Sequence, residues 1–321
     1  MKLKFKFTFN WALLIIFVVL FTLIALINDV FLSFDYLIGV MLRNIVEIGM
    51  MALPVTLIII TGGIDLSVGS ILVLSTMIGG IVAAKGGSTL GITAGLLVGM
   101  GCGLFNGFLI AKIKISPLVT TLATMYLYMG LARSISKGDS IYSYPATDWF
   151  GFTEVANIPI QLFIYILFAI VFWFVLSRTT LGRKLFAIGL NENATVYCGI
   201  NTDSIKVIIY FLSGLVCAIA GFIWLGRFTS VKYDAGTSLN LNVVTVIVLG
   251  GTSIMGGTGD MKGTILATLI IAVLNSGLTV LEMPIAAQTI VQGLVLVISL
   301  VTYFVIHVSR GKSRVVAVKA A

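Results

Sequence analysis

The sequence predicts an all-α polytopic membrane protein with about ten transmembrane helices and both termini in the cytoplasm. Three observations predict it. Of the 321 residues, 59% are hydrophobic and 10% are charged, where soluble domains carry about 25% charged residues. Apolar runs of roughly the 20 residues needed to cross a bilayer alternate with short polar breaks. Basic residues gather on alternate breaks, the pattern that orients membrane proteins.

The first span covers about residues 11–28 and ends at Asn28-Asp29. Lys2, Lys4 and Lys6 precede it, but no small-residue cleavage site follows, so it reads as a retained span and not a signal peptide. The second covers about 38–60 and is loosened at Pro54. The third covers about 67–84 and ends at Lys85-Gly86-Gly87. The fourth, about 89–111, carries Gly91, Gly95 and Gly99 at four-residue spacing. That puts small residues on one face and predicts close helix contact in lipid. Pro117 opens the fifth, to about Ile135, and a polar segment, 136–157, follows.

The sixth span covers about 158–177, and a basic connector, 178–203, follows it. The seventh covers about 205–226, before a polar connector at 227–240. The eighth, about 241–255, is short and ends in Gly256-Gly257-Thr258-Gly259-Asp260. The ninth covers about 263–281 and the tenth about 286–307. No composition shift divides the chain, so 1–321 reads as one transmembrane domain.

With the N-terminus inside, 14 of the 20 basic residues fall on the cytoplasmic side. They are Lys2, Lys4, Lys6, Lys112, Lys114, Arg178, Arg183, Lys184, Lys206, Lys262, Arg310, Lys312, Arg314 and Lys319. The other 6 are Arg43, Lys85, Arg133, Lys137, Arg227 and Lys232. The net charge of +8 therefore reflects topology and not nucleic-acid binding. Cys102, Cys198 and Cys217 form no disulfide framework. His307 is the single histidine, which leaves no metal constellation; an interfacial position suits it.

The chemistry concentrates at Pro54 to Ser70. An apolar run stops at Gly62-Gly63; Ile64, Asp65 and the small residues Ser67 to Ser70 follow. A helix break at membrane depth must face protein or water, and a carboxylate there is a functional-site candidate. Gly62, Gly63, Ile64, Asp65 and Ser67 are accordingly candidates for bordering a translocation path. A tight turn in which Asp65 caps the next helix is the alternative. Residues 56–63 are echoed by 245–251, and Gly69-Ser70-Ile71-Leu72 by Gly263-Thr264-Ile265-Leu266. Paired glycine interruptions in two halves point to a transport site, which adds Gly250 and Gly251. Glu47 sits four residues from Arg43, a helical ion-pair spacing.

A second constellation lies in the basic connector. Asn191 can cap a short helix over Ala194 to Cys198, with Gly199 as its stop. Such a helix, with an apolar face, lies on the membrane or meets a partner. On the other side, 136–157 and 227–240 are the longest charged stretches, with Asp148, Trp149, Arg227 and Tyr233 as contact candidates for an external partner.

Three ordered motifs carry a resemblance. They are Gly62-Gly63-Ile64-Asp65-Leu66-Ser67-Val68-Gly69, the connector 182–200, and 248–259. The chain resembles the permease subunits of bacterial ATP-binding-cassette sugar importers, the ribose, xylose, galactose and autoinducer-2 permeases. In the connector, Gly182, Arg183, Ala187, Gly189, Asn191, Ala194, Gly199 and Ile200 match; Thr195 stands where a second alanine is usual. The resemblance implies that Gly182, Arg183, Gly189, Asn191, Ala194 and Gly199 belong to a helix that couples to an ATPase. It implies two ATPase domains, a second permease subunit, identical or related, an external sugar-binding protein, and the bacterial inner membrane. The family's acidic residue before the third motif is replaced here by Asn240-Leu241-Asn242.

The implied function is permease of an ATP-driven importer for a ribose-like monosaccharide, with autoinducer-2 or another polyol as the alternative. The chain has no phosphate-cradling G-x-x-x-x-G-K-[ST] loop. ATP is thus expected on the partner, with no cofactor here and no enzymatic activity. An ion-coupled transporter would need more ionisable residues in its spans than Glu47 and Asp65. A membrane enzyme would need an acid/base or metal constellation.

Overall fold

The computed structural model describes residues 9–284, 286–295, 297, 298 and 301. The basic residues at either terminus and His307 lie outside them. The elements in order are α1 (Phe9–Ile27), α2 (Phe34–Tyr36), α3 (Val46–Ile60), α4 (Val68–Gly86), α5 (Ser88–Ala111) and α6 (Pro117–Ser136). They continue with α7 (Pro145–Phe152), α8 (Ile160–Arg178), α9 (Thr180–Leu190), α10 (Glu192–Tyr197), α11 (Thr202–Phe228), α12 (Thr237–Leu249) and α13 (Met261–Val280). Four two-residue strands, β1 (Ile141–Tyr142), β2 (Glu154–Val155), β3 (Ile158–Pro159) and β4 (Ser230–Val231), only tie connectors together.

Among the described residues, seven helical stretches are long and apolar enough to cross a membrane: 9–27, 34–60, 68–86, 88–111, 160–178, 202–228 and 261–280. The architecture is therefore mostly helical and polytopic. Two expected spans differ from a plain apolar crossing. α6 has 20 residues, but it buries Thr120, Thr121, Thr124, Tyr128 and Ser136 on its protein-facing side. α12 has 13 residues, about 20 Å of helix at ~1.5 Å per residue, against ~30 Å of hydrocarbon.

α3 is the axis of the molecule. All its residues, Val46 to Ile60, are buried, and α8, α11, α12 and α13 surround it. The helix runs through Pro54, which brings no N–H to the carbonyl of Met50. At the periphery, α1 leans on α13 and buries only Leu13, so its apolar surface is left for lipid.

The glycine face of α5 does what its spacing predicts. A β-carbon on Gly91 would stand 2.6 Å from the Gly79 carbonyl oxygen of α4, and one on Gly95 2.5 Å from the Phe222 ring of α11. Gly99 and Gly103 lie against Gly214 and Tyr210 so closely that a β-carbon on either would overlap a backbone carbonyl. Small residues thus let α4, α5 and α11 pack backbone to backbone.

The two polar connectors, 136–157 and 227–240, meet at one end of the molecule. β1 pairs antiparallel with β4, Ile141 opposite Val231 and Tyr142 opposite Ser230. α7 sits on the end of α11, where Gly151 and Gly226 touch through their backbones.

The expected Arg43–Glu47 pair does not form. Residues Leu37–Leu42 are a π-helix and Arg43–Ile45 a 3-10 turn, so the i,i+4 register that would align the two is lost. Arg43 instead donates to Gln161 Oε1 and to the Gly151 carbonyl. Glu47 faces Arg227, with Nε 3.0 Å from Oε1.

Candidate functional site: two helix breaks and a connector

The first break begins where α3 ends. The Gly62 N–H donates to the Ile59 carbonyl at 2.9 Å, and the Gly63 N–H to the Ile58 carbonyl at 3.1 Å. This closes the helix through a residue at φ +80°, a conformation glycine adopts without strain. The chain then turns inward. The Ile64 carbonyl accepts from Thr121 Oγ1 at 3.1 Å and from Tyr210 at 3.4 Å. The backbone groups freed by the break therefore find protein partners.

Asp65 is 1% exposed. Its Oδ1 accepts from the Ser67 amide at 2.9 Å and the Ser67 hydroxyl at 2.6 Å, and its Oδ2 accepts from Ser213 at 3.4 Å. Asn106 donates to the Ser67 hydroxyl at 2.8 Å, and Tyr128 donates to Asn106 Oδ1 at 3.1 Å. A buried polar chain thus runs from the break into α5, α6 and α11. Two residues after Ser67, the Gly69 amide donates to Asn240 Oδ1 at 2.7 Å. Asn240 accepts it through a neutral amide oxygen.

The second break repeats the first. The Gly251 N–H donates to Val248 at 2.9 Å and the Thr252 N–H to Ile247 at 3.2 Å, with Gly251 at φ +83°. Asp260 then caps α13 by accepting from the Lys262 amide at 3.1 Å, and it also accepts from Asn10 at 2.6 Å. The sequence echo therefore marks one local geometry used twice. The two breaks also touch: the Gly257 N–H donates to the Ile60 carbonyl at 2.8 Å, and Thr56 and Thr264 hydroxyls lie 3.0 Å apart.

The connector lies across them. Thr179 caps α9, and Gly182 in its first turn lies against the Leu176 carbonyl. Gly189, in its last turn, lies against Ile60 and Gly257. Asn191 Oδ1 accepts from the Ala194 amide at 3.0 Å and so starts α10, as its residue type predicts. Gly199, at φ +78°, follows its end. Thr195 is buried, and its hydroxyl donates to the Asn191 carbonyl at 2.8 Å. Arg183, Ala194, Val196 and Tyr197 are exposed. Glu192 pairs with Lys206 at 2.6 Å, which fixes α10 to α11.

The structure therefore gathers Gly62, Gly189, Gly256 and Gly257 at one point. It places Gly63, Ile64, Asp65 and Ser67 in a neighbouring buried cluster. Gly250 and Gly251 are not part of that cluster; Gly250 packs on Gly263 and Gly251 on the Phe9 ring. Asn106, Tyr128, Tyr210 and Ser213 were not anticipated. Asn106, a lone amide in a glycine-rich apolar run, was the one with a visible signal.

At the opposite end, Trp149 is half exposed and packs on Phe150, 5.1 Å between ring centroids. Asp148 is partly buried. The Arg133 guanidinium lies 5.2 Å from the Tyr233 ring centroid. The Arg227 guanidinium is turned inward onto Glu47 and Asn44.

Residues 37–300 match the family model described as branched-chain amino acid transport system / permease component. The chain belongs to this permease family. Ribose import permease RbsC of Bacillus subtilis is 36% identical over 285 residues, 88% of each chain. Ribose import permease RbsC of Escherichia coli K12 is 33% identical over 91% of this chain and 94% of its own. Autoinducer 2 import system permease LsrD of Klebsiella pneumoniae is 35% identical over 93% and 91%. No solved structure matches. As a permease of this family the chain is the membrane subunit of an ATP-binding-cassette importer, a transport subunit whose ATPase is a separate protein.

Proposed function

We propose that the protein moves a ribose-like monosaccharide across the bacterial inner membrane, delivered by an external binding protein and driven by a partner ATPase. The observation that carries this is likeness to ribose import permeases along nearly nine-tenths of both chains. The geometry agrees with it. The cluster around Asp65 offers hydroxyl, amide and carboxylate groups held by each other, which suits gating more than ion coupling. Autoinducer-2 is the second reading, favoured by the comparable match to a permease for that signal.

In this reading Gly62, Gly63, Ile64, Asp65 and Ser67, with Gly250 and Gly251, border the path. The connector 178–203 docks the ATPase, using the exposed Val196 and Tyr197 of α10. The joined connectors at the other end, with Trp149 and Tyr233, receive the binding protein. About ten spans with cytoplasmic termini complete the topology, and a second permease subunit completes the pathway. Uptake into proteoliposomes with and without the ATPase tests the function. ATP-dependent ribose entry is expected. Entry that follows an ion gradient without the ATPase would refute it.

A further inference from the structure

Gly189 is the point where the connector meets both helix breaks. A β-carbon there would overlap the Ile60 carbonyl oxygen and the Gly257 amide nitrogen. Those two atoms are already bonded to each other at 2.8 Å. The Ile60 carbonyl belongs to the last turn of the buried axis α3. The Gly257 amide belongs to the second break, in a turn with φ of +81° and +75° at Gly256 and Gly257. One residue on, the Leu190 side chain covers the same turn; a β-carbon on Gly257 would stand 2.9 Å from its Cδ2.

Three segments distant in sequence thus share one point with no side chain between them. Backbone against backbone leaves no soft atoms to absorb a displacement, because packed interiors switch between arrangements and do not deform smoothly. Gly189 is also not on the exposed face of α10, which is built from Val196 and Tyr197.

We propose that Gly189 is a positioning residue for transport: it passes movement of the connector directly to the end of α3 and to the second break, so that ATPase docking and gating are joined at this contact. The role rests on the connector being the ATPase dock.

The test uses the full complex in proteoliposomes, reading ATPase co-purification and sugar moved per ATP hydrolysed. Gly189→Ala lifts α9 off its seat, and Leu190→Ala removes the neighbouring contact without adding volume. Lys85→Ala, exposed in the last turn of α4 and outside the connector, is the control. Gly189→Ala is expected to retain the ATPase and to lower sugar per ATP about tenfold. Leu190→Ala is expected to lower it about threefold, and Lys85→Ala to leave it unchanged. A wild-type ratio in Gly189→Ala overturns the proposal. If that variant does not assemble, a wild-type ratio in Leu190→Ala overturns it instead. Failure of Glu192→Cys or Asn193→Cys, in a permease otherwise unchanged, to cross-link to the ATPase would remove the docking reading itself, a different result from either.

Discussion

Arg227 reaches from the end of α11 to Glu47 in the first turn of α3, with its Nε 3.0 Å from the carboxylate and both side chains nearly out of solvent. Arg43 and Gln161 complete the knot by holding the Gly151 carbonyl of α7. The end of α3 remote from the breaks is therefore fixed to α7 and α11 by charge and not by apolar packing alone. Removing one partner of a buried pair leaves the other uncompensated, at a cost of about 3–5 kcal/mol. Glu47→Ala is expected to lower the melting temperature of the purified protein sharply. Glu47→Leu combined with Arg227→Met is expected to recover most of the loss. Equal damage in the single and the double variant would show that the charge pairing is not the cause.

Asp65 should tolerate one replacement and not another. Asn keeps an oxygen for the Ser67 amide and hydroxyl. Ala leaves both donors without it, a cost of about 1–3 kcal/mol for each buried group left unsatisfied. Uptake by Asp65→Asn is expected near the wild-type rate, and by Asp65→Ala well below it. The comparison is made in protein shown to be inserted and complexed.

Asn240 makes the reverse case. Its Oδ1 receives the Gly69 amide, and its Nδ2 only a methionine sulfur, Met125, at 3.3 Å. Asn240→Asp keeps the acceptor and should transport normally. Asn240→Leu removes it and should not. Loss of uptake in Asn240→Asp would mean that the neutrality of this side chain, and not its acceptor oxygen alone, is required.

The glycines of α5 divide into two kinds. Gly103→Ala would press on the Tyr210 carbonyl, and overpacking of this kind costs about 1–3 kcal/mol. Gly101 has nothing within 4 Å of the added carbon, so Gly101→Ala should be neutral or stabilise the helix by up to ~1 kcal/mol. Thermal unfolding in detergent separates the two. Equal effects would remove the close-packing account.

Sidedness has a direct readout. Trp149 is half exposed at the end where β1 meets β4. The exposed native Cys198 lies beside α10 at the other end. In Trp149→Cys cells, an impermeant thiol reagent is expected to label residue 149 in intact cells and Cys198 only after lysis. The opposite order would invert the topology.

Much of this arrangement was legible in the sequence because its signals are local. Asn191 reads as a cap since its oxygen needs to reach only three residues ahead. Gly62, Gly199 and Gly251 read as stops because their φ angles suit glycine. The glycine spacing of α5 announced a contact face, though not that α4 and α11 would share it. Pairings across the chain were not legible. Glu47 had an apparent partner four residues away, and the π and 3-10 turns between them sent it to Arg227 instead, 180 positions on. The inward turn of the Arg227 guanidinium likewise leaves no local mark in the sequence. The meeting of Gly189, Ile60 and Gly257 leaves no mark on any one segment, since each glycine has a sufficient local explanation in a turn or helix end.

The contact of Gly99 with Gly214 also sets an order of events during synthesis. The two residues are 115 positions apart, and a ribosome adding about 5–20 residues per second takes roughly 6–23 seconds to cover that distance. For that interval the face of α5 that α11 will cover is without its partner. A bulkier residue on that face would therefore harm the protein twice, by delaying the capture of α11 as well as by straining the finished pair.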